Sequence, residues 1–150
     1  MELKNLIPKF PFLVVTRDYL EGIDIFTGED FAIINDNPAI IVISIPYRSN
    51  CYSNIKSTGE FVINFLPRSL FSIYEKCKNE YPKGFNEFEQ VGLKKANCLK
   101  VNLPRIEEAL LWIECKWLGS VEIDSVRNLE NLPVFGKVLE FGIGKDYSKQ

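Results

Sequence analysis

Short runs of β-branched and aromatic residues, separated by turn signals, dominate this chain and predict a mainly β protein. The most apolar run, Ala39–Ile45, follows the turn Asn35–Pro38 and is short enough to be a strand covered on both faces. In the run 110–117 the apolar side chains alternate with Glu114 and Lys116. This two-residue period is typical of a half-buried antiparallel strand.

The remaining pattern adds strands and a few short helices. Further strands are predicted at Phe12–Thr16, Glu60–Phe65, Val121–Asp124 and Val134–Ile143, with one more from Gly22 to Phe31 that is broken near Gly28. A short helix is predicted over Asn54–Gly59, and helical spacing predicts the best helix from Ser69 to Cys77. About eight strands with two or three short helices favour a barrel or a sandwich, because closing a sheet removes its exposed edges.

Length and composition limit the function classes. A chain of 150 residues without a long linker is expected to form a single domain over residues 1–150. A hydrophobic content of 46% excludes a disordered chain, and a formal net charge of −2 does not support nucleic-acid binding. No stretch has the roughly 18 apolar residues of a membrane span, and the start lacks the plan of a secretory signal. We therefore expect a cytoplasmic protein without a membrane partner.

The chain contains no histidine, which excludes Ser–His and Cys–His nucleophile pairs and histidine-ligated zinc. None of the four cysteines has CxxC spacing, so neither a redox dithiol nor a zinc ribbon is indicated, and each thiol is interpreted as a small buried hydrophobic group. We expect no metal site. Any chemistry must depend on a bound cofactor or on carboxylates.

Five blocks in register resemble the flavin reductase-like family, which includes flavoredoxins and NAD(P)H:flavin oxidoreductases. The most specific block is 54–64, NIKSTGEFVIN, which is similar to the family run N-I-x-x-[ST]-G-E-F-V-x-N. The other four are PFLVVT at 11–16, NPAIIVISI at 37–45, FEQVGL at 88–93, and the approach from Ile106 to the Glu114–Cys115 pair. The resemblance covers residues 11 to 140 and implies an FMN-binding split β-barrel.

The resemblance also implies a function. Members of this family hold FMN in a groove between the two subunits of a homodimer; some transfer a hydride from NADH or NADPH to the flavin, and others carry electrons. This chemistry suits a chain without histidine, because the flavin ring accepts the hydride and the protein supplies position and dipoles. The resemblance implies no catalytic side chain.

By position, the family's flavin contacts correspond to three segments of this chain. They are Asp24, Ile25, Phe26, Thr27 and Glu29 in the first, Tyr47, Arg48, Cys51 and Asn54 in the second, and Asn64, Phe65 and Leu66 in the third. Arg48 is interpreted either as a bidentate phosphate ligand or as a solvated loop residue. Asn64 either bonds a flavin ring edge or caps a strand end. Free N–H groups at the start of the Asn54 helix are expected to add an anion site.

Three residues depart from the family pattern. Asp24 replaces an asparagine, Glu29 replaces a hydroxyl residue, and Cys51 replaces a threonine that commonly helps to hold phosphate. A carboxylate 4 Å from a phosphate charge is repelled by about 4 kcal/mol at an effective dielectric constant of 20. Three alternatives follow: FMN with a shifted phosphate, a different planar ligand with less charge in a non-catalytic dimer, or a vestigial pocket.

Overall fold

The computed structural model describes residues 2–123 and 129–147, and these form a mainly β fold with three α-helices. The strands are β1 Phe12–Arg17, β2 Ile23–Gly28, β3 Phe31–Asp36, β4 Ala39–Pro46, β5 Glu60–Phe65, β6 Lys95–Asn97, β7 Pro104–Ile106, β8 Leu111–Ser120 and β9 Asn131–Ile143. The helices are α1 Asn50–Thr58, α2 Ser72–Lys76 and α3 Glu87–Val91. None of them is long and apolar enough to cross a membrane within the described residues.

Seven strands form one antiparallel sheet in the order β2-β1-β5-β8-β9-β4-β3, and β6 pairs with β7 separately. The two edge strands, β2 and β3, are joined by Glu29 and Asp30 alone. Three Cα–Cα steps of about 3.8 Å cannot separate Gly28 from Phe31 by more than about 11 Å. The sheet must therefore curl until its edges meet. No strand pairing joins β2 to β3 among the described residues, so the barrel stays open along this seam.

The two faces of the curled sheet bury two separate cores. Phe61, Ile63 and Phe65 of β5 point into the barrel, where α1 closes the same core with Ile55. Val62 on the opposite face belongs to a second core, which α2, α3 and the β6–β7 pair cover. Because successive residues of a strand face opposite sides, both sets come from the same short strands.

Several predicted elements differ from the observed ones. The strand predicted from Gly22 to Phe31 is two strands on opposite edges of the sheet. The helix predicted from Ser69 is a 3₁₀ turn at Arg68–Leu70 followed by the five-residue α2. Residues 121–123 are not a strand, and Asp124 lies outside the described residues. The pair of β6 and β7 was not predicted at all.

The prediction that Ala39–Ile45 is covered on both faces was wrong for one face. Ile41, Ile43 and Ile45 are buried in the barrel, but Ile40 and Val42 on the outer face are only half-buried. The helices α2 and α3 cover the β1–β5 side of the outer face, and no described helix packs on these two residues. The outer face of β4 is therefore apolar at Ile40 and Val42 and is not covered there by described residues.

Candidate functional site

Helix α1 lies at the end of β4 and is fixed at both ends by local signals. At its start, the Ser49 hydroxyl accepts a hydrogen bond from Tyr52 N (3.1 Å) and donates one to the Pro46 carbonyl (2.8 Å). At its end, Gly59 adopts the left-handed conformation (φ 76°), and its N–H donates to the Ile55 carbonyl. The helix therefore begins four residues earlier than the sequence predicts, and it includes part of the predicted loop.

A groove of about 430 Å³ runs along the outer side of α1. Its lining consists of two cationic side chains and a row of hydroxyls, namely Tyr47, Arg48, Ser49, Tyr52, Ser53, Lys56 and Ser57. Arg48 makes no ion pair with any described residue, whereas Lys56 Nζ lies 3.8 Å from Glu122 Oε1. Tyr52 donates a hydrogen bond to the same Glu122 oxygen at 2.8 Å. We call this the α1 groove. Its charge and donors suit an anion.

A pair of buried carboxyl groups lies beneath α1, with Asp24 on β2 and Glu87 on α3. Burial, followed by the hydrogen bond that protonated Glu87 donates to Asp24, raises the pKa of Glu87 to about 9. Burial also raises the pKa of Asp24. One proton is therefore shared within this carboxyl pair at neutral pH, while Glu87 Oε1 accepts a hydrogen bond from Ile25 N at 3.3 Å. Asp24, which replaces the asparagine of the family pattern, is therefore one member of a buried carboxyl pair.

A third carboxylate, Glu80, occupies the start of α1. Its Oε1 accepts a hydrogen bond from Asn50 N at 3.1 Å, and the Asn50 side chain donates to the Tyr81 carbonyl at 3.4 Å. The sequence predicts free N–H groups at this helix end, but Glu80 takes the first of them and Ser49 takes the N–H of Tyr52. The helix end is therefore not a free anion site, and the α1 groove lies along the side of the helix instead.

Three polar residues expected at the flavin site are fully buried or nearly so and are engaged by the fold. Thr27 donates to the Tyr74 carbonyl (2.6 Å), Asn54 donates to the Thr16 hydroxyl (3.1 Å), and Asn64 accepts from Ile106 N (2.9 Å). Cys51 is also buried, and burial raises the pKa of its thiol well above the usual value. These side chains connect α1, α2 and β7 to the sheet.

The apolar residues of the expected site belong to the cores. Ile25 and Leu66 lie in the second core. Phe65 lies in the core inside the barrel, and Phe26 packs against that same barrel core. Their side chains hold the strands that carry the site. They do not line the α1 groove.

Glu29 lies at the seam of the barrel, at the mouth of a second groove of about 420 Å³. Strands β3, β4 and β9 form its walls, with Phe31, Val42, Leu132 and Pro133 as apolar lining and Asp30, Ser44 and Asn131 as polar lining. Glu29 itself is exposed and lies 3.8 Å from Lys78 Nζ. We call this the seam groove. It adjoins the uncovered outer face of β4.

The two grooves lie near the same end of β4. Ser44 lines the seam groove, and Tyr47, three residues further along the chain, lines the α1 groove. At about 3.3 Å per residue, the two positions are at most about 10 Å apart. Of the expected site residues, Tyr47 and Arg48 line the α1 groove and Glu29 lines the seam groove, whereas Asn64 bonds to Ile106 of β7.

Sequence reasoning missed Lys56, Ser53, Glu80 and Glu87 in this region. Ser49, Ser53 and Ser57 recur every four residues, which places them on one side of a helix that begins at Ser49. That spacing was a usable signal. The contacts of Glu80 and Glu87 depend on a loop that returns from a distant part of the chain, so no local pattern indicates them.

Solved structures share this fold. The structure superposes with a TM-score of 0.82 on nitrilotriacetate monooxygenase component B from Bacillus cereus, at 19% identity, covering 93% of this chain and 72% of that one. A split-barrel protein from Shewanella frigidimarina gives 0.81 at 20% identity, covering 92% and 68%. Flavoredoxin from Desulfovibrio vulgaris gives 0.79 at 20% identity, covering 93% and 72%. The predicted split-barrel fold is confirmed.

Sequence comparisons point the same way. An uncharacterized protein from Aquifex aeolicus is 34% identical over 57% of this chain, and one from Methanothermobacter thermautotrophicus is 36% identical over 62%. The matches cover 46% and 43% of those proteins, so the chain spans less than half the length of these relatives. The family model described as the flavin reductase like domain matches residues 5–150.

Proposed function

This chain belongs to the flavin reductase-like family, and from that premise we propose that it binds FMN and passes electrons through it, either as an NAD(P)H:flavin oxidoreductase or as an electron carrier. When bound, the flavin ring supplies the hydride-accepting chemistry. The side chains of this protein bind and orient it. The observation that carries the proposal is the α1 groove, where Arg48 has no ion pair with a described residue and lines the same space as Lys56 and the serine row.

The α1 groove fits the phosphate end of FMN. A guanidinium that has no carboxylate partner among the described residues can donate two hydrogen bonds to phosphate oxygens, and Ser53 and Ser57 offer hydroxyl donors beside it. Glu122 offsets part of the Lys56 charge. Arg48 is therefore the principal phosphate residue of the proposal.

The seam groove fits the planar end. Its apolar lining from Phe31, Val42 and Leu132 suits an aromatic ring system, and its polar rim suits the edge of such a ring. Because Ser44 of the seam groove and Tyr47 of the α1 groove are at most about 10 Å apart, one elongated ligand with an anionic end can reach both grooves.

The sequence predicts that Asp24 and Glu29 repel the phosphate of FMN, but this repulsion is smaller than two free carboxylates would cause. Asp24 lies in the carboxyl pair beneath α1, which retains a proton at neutral pH because burial raises the pKa of both groups. Glu29 is exposed and lies beside Lys78. These contacts favour FMN over a less charged planar ligand and over a vestigial pocket, and those two alternatives are outcomes of the experiment below.

The outer face of the sheet supports a homodimer. Ala32, Val42 and Phe135 are aligned across β3, β4 and β9, and exposed Ile34 and Leu118 extend the same face. Neither core includes these side chains. Contiguous exposed apolar patches of this kind mark interaction surfaces. The seam groove borders this face, so a second copy docked there would complete the flavin site.

The proposed location of the protein is the cytoplasm, and its proposed partners are small molecules. The four cysteines are free thiols, which suits the reducing cytoplasm. The proposed small-molecule partners are FMN and a nicotinamide nucleotide.

Binding of FMN and of riboflavin to the flavin-free protein tests the proposal, because the two ligands differ by the phosphate alone. We expect FMN to bind more tightly, and Arg48→Ala to weaken FMN binding about 10- to 100-fold with little effect on riboflavin. Arg68→Ala is the matched control, since Arg68 is exposed and lines neither groove.

A protein that binds neither flavin contradicts the proposal and favours the vestigial pocket. Equal loss of FMN and riboflavin in Arg48→Ala contradicts the assignment of Arg48 to the phosphate. Oxidation of NADH or NADPH by the FMN-loaded protein then separates the reductase from the electron carrier.

A further inference from the structure

A third cavity, of about 470 Å³, lies away from both grooves, between the end of β1 and strand β6. The turn that joins β1 to β2 forms one wall, and residues 84–86 and 97–104 form the others. The lining is mostly polar and includes the cations Arg17 and Lys95, the carboxylate Glu21 and the amides Asn86 and Asn97. No part of the proposed flavin site uses it.

Asp18 holds the walls of this cavity in place. Its Oδ1 accepts hydrogen bonds from Leu20 N (2.8 Å) and Gly22 N (2.9 Å), and its Oδ2 accepts one from Gly84 N (2.8 Å). Burial alone would raise the pKa of Asp18, but these three N–H donors lower it, so the group stays ionised. The β1–β2 turn and the loop before α3 are therefore tied together by one charged acceptor.

The turn carries backbone strain at the cavity. Within the described residues, Glu21 is the one non-glycine residue with positive φ, at 63°. Such a conformation costs free energy for a side chain with a Cβ, and it occurs disproportionately at ligand sites. Here it places the Glu21 carboxylate beside Arg17, with Arg17 Nη1 3.4 Å from Glu21 Oε2.

Arg17 has unused hydrogen-bonding capacity. Its Nη2 donates to the Asn102 carbonyl at 3.2 Å, but its Nε–H is buried and has no acceptor among the described residues. A buried donor without an acceptor is unfavourable, so this edge of the guanidinium favours an incoming oxygen. The Glu21 partner is 79% exposed, which makes its ion pair weak and exchangeable.

Lys95 supplies the second positive charge. Its Nζ lies 5.8 Å from the centroid of the Phe88 ring and makes no salt bridge with a described residue. Glu21 is the one carboxylate in the lining, so the side chains that line the cavity comprise two cations and one anion. Its volume exceeds that of an inorganic ion and lies within the range of small-metabolite pockets.

We propose that this cavity binds a small organic oxyanion, either a carboxylate or a phosphate monoester, whose charged group lies between Arg17 and Lys95 and displaces Glu21 from the guanidinium. The asparagine side chains at the rim donate and accept hydrogen bonds with the neutral part of the ligand. The site is separate from the flavin grooves, so it does not depend on flavin binding.

Backbone amide NMR of the ¹⁵N-labelled protein tests the proposal, with inorganic phosphate, ribose 5-phosphate and malonate as probes and ribose as the uncharged control. We expect saturable shifts of the Gly22 and Gly84 amides with at least one organic anion and none with ribose. The Ser53 and Ser57 amides report the α1 groove in the same spectra, so phosphate binding there is recognised separately. Comparison of ribose 5-phosphate with malonate identifies the class of oxyanion.

Three variants at exposed positions give effects of different sign. Lys95→Gln should weaken anion binding about tenfold. Glu21→Gln should tighten anion binding several-fold, because it removes the competing carboxylate. Lys94→Gln should leave the affinity unchanged, because Lys94 is exposed but does not line the cavity. The proposal is overturned if the Gly22 and Gly84 amides do not shift with any organic anion, or if Lys95→Gln and Lys94→Gln behave alike. Either result leaves the flavin proposal intact.

Discussion

Glu87 keeps a proton in the folded protein at neutral pH. Its pKa is raised to about 9 by burial, followed by its hydrogen bond with Asp24, whereas an unfolded glutamate titrates near 4.5. Between these values the folded chain keeps a proton that the unfolded chain has released. The contribution of Glu87 to the free energy of unfolding is therefore largest below pH 4.5. This contribution is lost as the pH rises towards 9, with a slope of at most about 1.4 kcal/mol per pH unit.

Glu87→Gln should flatten this pH dependence. A glutamine amide resembles the protonated acid, since it can donate to Asp24 and still accept from Ile25 N. We expect the variant to be more stable than the parent protein at pH 8 and similar to it at pH 5. Urea unfolding at both pH values measures the effect.

Glu89→Gln is the matched control, because Glu89 is on the same helix but exposed. An unchanged pH profile in Glu87→Gln would mean that Glu87 is ionised in the folded protein and that the carboxyl pair shares no proton.

One side chain of β8 holds the segment between β6 and β7. Glu114 is completely buried, its Oε1 accepts from Leu99 N (3.0 Å) and Lys100 N (2.6 Å), and its Oε2 accepts from Leu99 N (3.1 Å). Glu114→Gln should lower the free energy of unfolding by about 1.5–3 kcal/mol, because its NH₂ group cannot accept from a backbone N–H. Denaturant unfolding measures this loss.

Glu107→Gln removes a charge from an exposed position near the same strands and should have little effect. A similar loss in both variants would show that net charge, and not the contacts of Glu114, determines the result.

Local patterns predicted the elements whose signals are local. Alternation and turn residues indicated β1, β5, β8 and β9, and the left-handed Gly59 ended α1 as expected. The same alternation placed Glu114 opposite the core face, but it did not predict burial, because the segment that covers it comes from elsewhere in the chain. The three-residue strands β6 and β7 are too short to show a period.

For the site, the motif resemblance indicates segments but not the direction of each side chain. In the structure Arg48 and Tyr47 line a groove, whereas Asn54 and Asn64 bond to other elements of the fold. Which way a polar side chain turns depends on buried acceptors and donors that only the assembled fold supplies. The carboxyl pair of Asp24 and Glu87, 63 residues apart in the chain, illustrates this limit.

The outer face of β3, β4 and β9 is apolar, and in the proposed homodimer a second copy covers it. Its centre is Val42, which is aligned with Ala32 on one side and Phe135 on the other. Val42→Arg places a charge at the middle of this face and should convert the proposed homodimer to a monomer, because an unpaired charge in an apolar interface is strongly disfavoured. Sedimentation equilibrium measures the mass.

Leu99→Arg is the control, since Leu99 is the most exposed large hydrophobic residue of the described chain, at 75%, and lies between β6 and β7, which pair with none of β3, β4 and β9. It should leave the dimer intact. Because Val42 lines the seam groove as well as the dimer face, Val42→Arg should also weaken the binding of FMN and riboflavin together, in contrast to Arg48→Ala, which should affect FMN alone. A dimeric Val42→Arg protein, or a monomer that binds both flavins with unchanged affinity, would separate the flavin site from the apolar face and contradict a site shared by two subunits.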